Sequence, residues 1–150
     1  MSNFAVNLEW QSKGKSFTYA EYSREYTIKA NNKPTLTGTA APEYKGTEHD
    51  YNPEEMLVMA LSSCQMLSYL ALAANAKIEV LAYEDNADGS LEKHGVSMKF
   101  KEVTLRPKIT ISGESDKEKA LALNEKAHHI CFIGNSVNFT VKIEPEIVQK

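Results

Sequence analysis

Cysteine and arginine are both scarce in this chain. Its 150 residues carry two of each, Cys64 and Cys131, Arg24 and Arg106. With a net charge of −3 and so few arginines, the sequence lacks the clustered basic charge that nucleic acid or an anionic membrane surface asks of a partner, so neither is expected. No basic leader or early apolar run precedes Phe4, so no secretory signal is expected and the cytosol is the expected compartment. Two cysteines in that compartment point to redox chemistry or simple burial rather than to a permanent structural disulfide. The chain also lacks internal repeats, low-complexity tracts and a recognisable linker, and its length suits one domain over residues 1–150.

Charge is missing from one long stretch as well. The 21 residues from Met56 to Ala76 contain none, and Cys64 sits inside them. Such a run is long enough for a membrane span. It also holds Ser62, Ser63, Gln65, Ser68, Tyr69 and Asn75, and strand-like amphipathic segments flank it on both sides. It therefore reads as a helix enclosed by protein, apolar on nearly every side. One 150-residue domain does not readily wrap such a helix, so a second copy of the chain is the expected source of cover.

Strands are read from period-2 alternation. Phe4, Val6, Leu8 and Trp10 predict a half-buried first strand. After a Lys13-Gly14-Lys15 turn, Phe17 and Tyr19 open a second, with Tyr22, Arg24, Tyr26 and Ile28 on one side of an extended segment ending near Asn31-Asn32-Lys33-Pro34. Thr35 to Thr39 returns, and Ala40 to Tyr51 reads as a surface loop. Asn52-Pro53-Glu54-Glu55 marks a helix start, with a cap, proline at the first helical position and acids near the positive end of the dipole. That helix runs to about Asn75. Ile78, Val80 and Ala82 form the next strand, leading to an Asp88-Gly89 turn. Val96, Met98 and Phe100 form another, which continues to Val103 and Leu105 past a bulge near Glu102. Lys108 to Ser112 is one more. The capping-box pattern Ser115-Asp116-Lys117-Glu118 opens a second helix with Ala120, Leu121, Leu123 and Ala127 inward, ending near His128. Phe139, Val141 and Ile143 make a last strand before Pro145. The order is three strands, helix, three strands, helix, strand, in the α+β class.

Cys64 by itself is as compatible with core packing as with a nucleophile, because free cysteine is among the most buried residue types. Cys131 lies 67 positions on, where the second helix gives way to a turn in His128-His129-Ile130-Cys131-Phe132-Ile133-Gly134-Asn135-Ser136. The histidines allow two competing readings. His128, His129 and Cys131 could ligate a metal with His49 or His94, or a Cys-His hydrolase could pair Cys64 or Cys131 with His129.

Asn52-Pro53-Glu54-Glu55, then Ala60-Leu61-Ser62-Ser63-Cys64, then Cys131 after a helix, resemble the OsmC/Ohr family of organic hydroperoxide reductases. Tyr22-Ser23-Arg24 and Cys131-Phe132-Ile133-Gly134-Asn135-Ser136-Val137 resemble one branch of OsmC-like proteins in particular. The resemblance implies an intertwined homodimer with active sites at the subunit interface. It makes Cys64 the peroxide-attacking cysteine, Cys131 the resolving cysteine and Glu54 the family's acid. Arg24 is the candidate for the family's arginine, with Arg106 as the alternative. The implied activity is reduction of organic hydroperoxides in oxidative stress defence, through a Cys64 sulfenic acid and a Cys64–Cys131 disulfide. An external dithiol, a lipoyl protein among the candidates, would regenerate the pair, and no metal or flavin would be required. Ten residues of helix separate Glu54 from Cys64 by roughly 15 Å, so Glu54 would act by orienting the arginine rather than by touching the thiol. Glu55 is better explained as a cap reaching back to a backbone N–H. Met59, Leu61, Met66 and Leu67 are candidate linings of an apolar pocket around Cys64. A non-catalytic dimeric binding protein of the same fold is the alternative from a different class.

Overall fold

A computed structural model describes residues 2–14 and 16–150, so Lys15 of the expected Lys13-Gly14-Lys15 turn lies outside the described residues. The fold is α+β, with nine strands and two long helices among the described residues. Two compact units, residues 1–56 and 57–150, divide the chain within its first long helix.

The first unit is an antiparallel meander of β1 (Asn7–Glu9), β2 (Tyr26–Lys29) and β3 (Leu36–Gly38). Leu8 pairs with Ile28, and Ile28 with Leu36. β1 is shorter than the alternation from Phe4 to Trp10 suggested, and Phe4, Val6 and Leu8 are exposed rather than half-buried. It is an edge strand, paired on one side only. Phe17 to Arg24 forms no strand. Tyr22 donates its N–H to Thr18 O at 3.0 Å, which folds the segment into a turn before β2 begins at Tyr26. The loop from Ala40 to Tyr51 is present, with one 3-10 turn at Pro42–Tyr44.

Helix α1 covers Pro53–Asn75. Its start is a closed capping box: Asn52 Oδ1 accepts from the Glu55 N–H at 2.9 Å, and Glu55 Oε2 accepts from the Asn52 N–H at 3.2 Å. Glu55 is thus the cap expected of it. Leu61, Gln65, Tyr69 and Ala73 form one buried stripe at intervals of four residues, as a 3.6-residue helix requires of a single buried face. The opposite stripe, Met59, Ser63, Leu67 and Ala71, is exposed although it carries no charge. The helix is therefore not enclosed on all sides within one chain.

Helix α2 (Lys117–Ile130) runs antiparallel to α1, and polar side chains set the register between them. Tyr69 Oη donates to Ala120 O at 3.0 Å, and Gln65 Nε2 donates to Asn124 O at 3.0 Å. One step of four back along α1 matches one step of four forward along α2. The helix is capped by Asp116, whose side chain accepts from Lys119 N–H at 3.0 Å, one residue later than the Ser115 cap expected from the sequence. Ser115 instead accepts from the Glu79 N–H. Leu121 is exposed, and Asn124 takes its place on the inner face.

Six strands complete the second unit as two three-stranded sheets, β4-β7-β9 and β5-β6-β8. These are β4 (Val80–Asp85), β5 (Asp88–His94), β6 (Ser97–Leu105), β7 (Pro107–Ile111), β8 (Thr140–Ile143) and β9 (Glu146–Gln149). Each strand of one sheet passes into a strand of the other after one or two residues: Asn86-Ala87, Arg106 and Glu144-Pro145. Pro107 and Pro145 lack the N–H a ladder needs, which suits them to the line where pairing changes partner. Two strands were absent from the sequence reading. Asp88-Gly89, expected as a turn, begins β5, and the reversal falls at Gly95-Val96, where Gly95 adopts φ +62°. Val96, expected in a strand, is wholly exposed there. β9 follows Pro145 and pairs in parallel with β7. The bulge is confirmed: Ser90 pairs with Glu102 and Leu91 with Phe100, leaving Lys101 unmatched.

Two apolar clusters fill this unit. Tyr69, Ala73, Ile109, Ile111, Leu123 and Ala127 join α1 and α2 to the β4-β7-β9 sheet. Leu61, Val103 and Leu105, flanked by Val58, Ile133 and Val141, join the earlier part of α1 to the β5-β6-β8 sheet. Because the cap fixes where α1 starts, Asn52→Ala is expected to cost about 1 kcal/mol of stability. Urea unfolding should show a lower midpoint with an unchanged slope.

Candidate functional site

Cys64 lies on α1 one residue before the buried Gln65, partly accessible at the border of the buried stripe. Cys131 is the C-cap of α2, its N–H bonded to His128 O at 3.3 Å. The fold makes the two side chains neighbours. The Cys64 side chain is near enough to Cys131 to bear on its acidity, and both are free thiols.

The two sulfurs have unequal surroundings. Cys131 is 2% exposed, and burial, foremost, pushes its thiol from the ordinary 9.0 up to about 11. The neighbouring Cys64 side chain acts in the same direction, while the backbone N–H groups of Gly134 and Ile133 act against it. At neutral pH Cys131 therefore keeps its proton. The thiolate, not the thiol, is the nucleophile, so the buried, protonated Cys131 is poorly suited to a first attack.

A tight turn holds Cys131. Its carbonyl accepts from the Asn135 N–H at 2.9 Å and from Asn135 Nδ2 at 3.0 Å, while Nδ2 also donates to His129 O at 2.9 Å. Ser136 Oγ donates to Phe132 O at 2.7 Å. The Gly134 N–H points at Cys131 Sγ, 3.3 Å away. Sequence reasoning assigned no role to Gly134 or Asn135, although both stand in the segment that follows Cys131. Nearby on α1, Ser62 Oγ donates at 2.5 Å to Asp85, whose other oxygen accepts from the Arg106 N–H at 2.7 Å.

Arg106 is fully engaged at the line between the two sheets. It pairs with Asp88 and, through Nε at 3.2 Å, with Glu144, and it donates to Asn86 O. One side chain thus ties together all three strand-to-strand passages. Those pairs hold its pKa above the ordinary arginine value.

Arg24 lies in the first unit. Its guanidinium donates to Tyr22 O at 2.6 Å and to Tyr19 O, and stacks on both rings, 3.7 Å from the Tyr22 centroid and 5.0 Å from that of Tyr19. Its Nε is buried without a partner among the described residues. Arg24 lines a pocket of about 400 Å³ with Trp10, Phe17, Tyr22, Tyr26 and Pro53. Glu54, in the first turn of α1, is not ion-paired with Arg24 among the described residues. Its charge, after burial, helps raise the Tyr26 phenol.

Among the described residues no three His, Cys, Asp or Glu side chains converge as metal ligands. His129 is exposed and faces Glu125 at 3.8 Å. Of the apolar residues expected around Cys64, Leu61 belongs to the core with Val103 and Leu105, and Met59 and Leu67 are exposed.

Known proteins agree with this architecture. The chain matches the family described as OsmC-like protein over residues 46–146. It is similar, at 34% identity and a TM-score of 0.89, to an OsmC-like protein of unknown function from Vibrio cholerae, covering 99% of this chain and 100% of that one. It shares the fold of the organic hydroperoxide resistance protein OsmC from Legionella pneumophila, with 18% identity, a TM-score of 0.72, and 99% and 98% of the two chains covered. The same holds for the organic hydroperoxide resistance protein OhrB of Bacillus subtilis, at 21% identity, a TM-score of 0.69, and 97% and 98% covered. No curated protein matches the sequence. Joined by a family match over most of its length and a relative covered end to end, the chain belongs to the OsmC-like protein family.

Proposed function

We propose that this protein is a thiol-dependent peroxidase that reduces organic hydroperoxides to alcohols in the cytosol. The observation that carries the reading is the pair of neighbouring free thiols, 67 positions apart in sequence and unequal in burial. Family membership supports it, as does the hydroperoxide resistance named for two proteins of the same fold.

The partly accessible Cys64 attacks one peroxide oxygen as a thiolate. The O–O bond breaks, the alkoxide takes a proton and leaves as alcohol, and Cys64 becomes a sulfenic acid. Cys131 then attacks the Cys64 sulfur. Hydroxide leaves with the Cys131 proton as water, and the disulfide forms. An external dithiol, with a lipoyl protein one candidate, returns both thiols by exchange. The proposed cation for the Cys64 thiolate is Arg24, oriented by Glu54, because an adjacent positive charge favours the ionised sulfur. Arg106 is set aside from that role because its guanidinium is already committed to Asp88 and Glu144.

The working form is proposed to be a homodimer. Its support is the exposed, uncharged stripe Met59, Ser63, Leu67 and Ala71 on α1, an apolar face of the kind that marks an interface.

Cys64→Ser is expected to abolish consumption of cumene hydroperoxide. Cys131→Ser should allow one oxidation event and then leave Cys64 as sulfenic or over-oxidised acid, seen by mass spectrometry. Peroxide turnover by Cys64→Ser under dithiol supply, or wild-type thiols untouched by peroxide, would overturn the peroxidase reading. Light scattering should give about twice the 16.7 kDa chain mass, falling toward the monomer for Leu67→Glu. A wild-type monomer at micromolar concentration would remove the dimer. Arg24→Met should slow alkylation of Cys64 by iodoacetamide near neutral pH by about tenfold, one pH unit of thiol acidity, and Arg106→Met should not. Equal rates for wild type and Arg24→Met would transfer the role to another group.

A further inference from the structure

The segment after Cys131 brings a backbone amide unusually close to a sulfur. Gly134 opens a 3-10 turn, and its N–H meets Cys131 Sγ at 3.3 Å. A Cβ on residue 134 would stand 3.3 Å from that sulfur, 3.4 Å from Cys131 Cβ and 3.6 Å from His128 Cε1. Its φ is not in the left-handed region, so a side chain here is opposed by space rather than by backbone conformation, and Cys131 Sγ would have to give by a few tenths of an ångström to admit one. Asn135 closes the same turn on both sides of the cysteine, through Cys131 O and His129 O.

Resting on the peroxidase reading, we propose that Gly134 is a positioning residue for the resolving and recycling half of the reaction, its N–H holding Cys131 Sγ toward Cys64 and receiving negative charge when that sulfur leaves. The need arises in recycling. A thiolate of the external dithiol attacks Cys64, the more accessible sulfur of the disulfide. A bond forms between the reductant sulfur and Cys64, the Cys64–Cys131 bond breaks, and its electron pair departs on Cys131. The second thiol of the reductant then displaces Cys64, leaving the oxidised dithiol. A leaving thiolate departs faster when it is better stabilised. Burial works against Cys131 in that step, and an amide N–H aimed at the sulfur works for it, as a charge-assisted hydrogen bond. The same contact aims the sulfur at the sulfenic acid in the preceding step.

The experiment separates this from the peroxidase reading by making the disulfide chemically. The full-length protein is oxidised with diamide, and its reduction by dithiothreitol is followed from pH 6 to pH 9 for wild type, Gly134→Ala and Asn135→Ala. In parallel, the ultraviolet thiolate absorbance of Cys131 is titrated in the Cys64→Ser background, with and without Gly134→Ala. The added methyl group is expected to push the amide off the sulfur, raise the Cys131 titration midpoint by about one pH unit and slow disulfide reduction several-fold. Asn135→Ala, which loosens the turn without crowding the sulfur, should slow reduction less. An unchanged midpoint with Gly134→Ala, or wild-type reduction rates in both variants, would overturn the proposal. Absence of peroxide turnover would overturn the peroxidase reading but leave these measurements standing.

Discussion

Two hydrogen bonds from the side chains of α1 to the main chain of α2 set the geometry on which the thiol pair depends. Tyr69 meets Ala120 O and Gln65 meets Asn124 O, so the helices are locked antiparallel with a step of four on each. Extending that register by one more turn places Leu61 opposite His128, near the end of α2 that Cys131 caps. Both donors are fully buried, and a buried donor without its acceptor costs more than an ordinary hydrogen bond returns. Apolar packing alone would tolerate a slip along the helix axis. These two polar contacts do not, because a slip of one residue would leave both donors facing no carbonyl.

The sheets serve the same helix in two places. The β4-β7-β9 sheet packs the later half of α1 and α2, while the β5-β6-β8 sheet packs Val58 and Leu61, in the two turns before Cys64. Between them runs a line where all three strands change partner, and Arg106 gathers Asp88 and Glu144 across it. Each of these ion pairs is exposed and individually weak. Their arrangement matters more than their strength, since one guanidinium reaches the first, second and third passages together. Ser62, two residues before Cys64, connects to that line through Asp85.

The thiols differ because the chain treats their backbones differently. Cys64 sits within a helix, whose N–H groups are spent on carbonyls a turn away, so no local amide serves its sulfur. Cys131 sits where a helix has ended, and the amides of the following turn are free to reach it. Burial holds the proton on Cys131, and the turn offsets part of that cost. A partly accessible sulfur beside a buried, protonated one is an arrangement suited to sequential roles rather than to a static disulfide.

Much of this was legible in residue order. The limits of α1, the Glu55 cap, the existence of α2 and the bulge near Glu102 are local matters, written in caps, charges and periodicity. Other features were settled only by tertiary structure. β5, with Leu91 as its only large apolar residue, lacks the alternation that marks a strand and exists because β6 offers it a partner. β9 is four residues long after a proline and is held by parallel pairing with β7. Arg106 reads equally well as a thiol-activating cation or a structural tie until Asp88 and Glu144 are seen around it. Cys64 and Cys131 were paired by resemblance, but that Cys131 keeps its proton followed from its burial, against the pull of the amides in the turn after it. Sequence determines what depends on near neighbours, because capping and periodicity act over a few residues. The proximity of residues 67 positions apart, and the raised pKa of Cys131, depend on tertiary packing and solvent exclusion, which exist only in the folded chain.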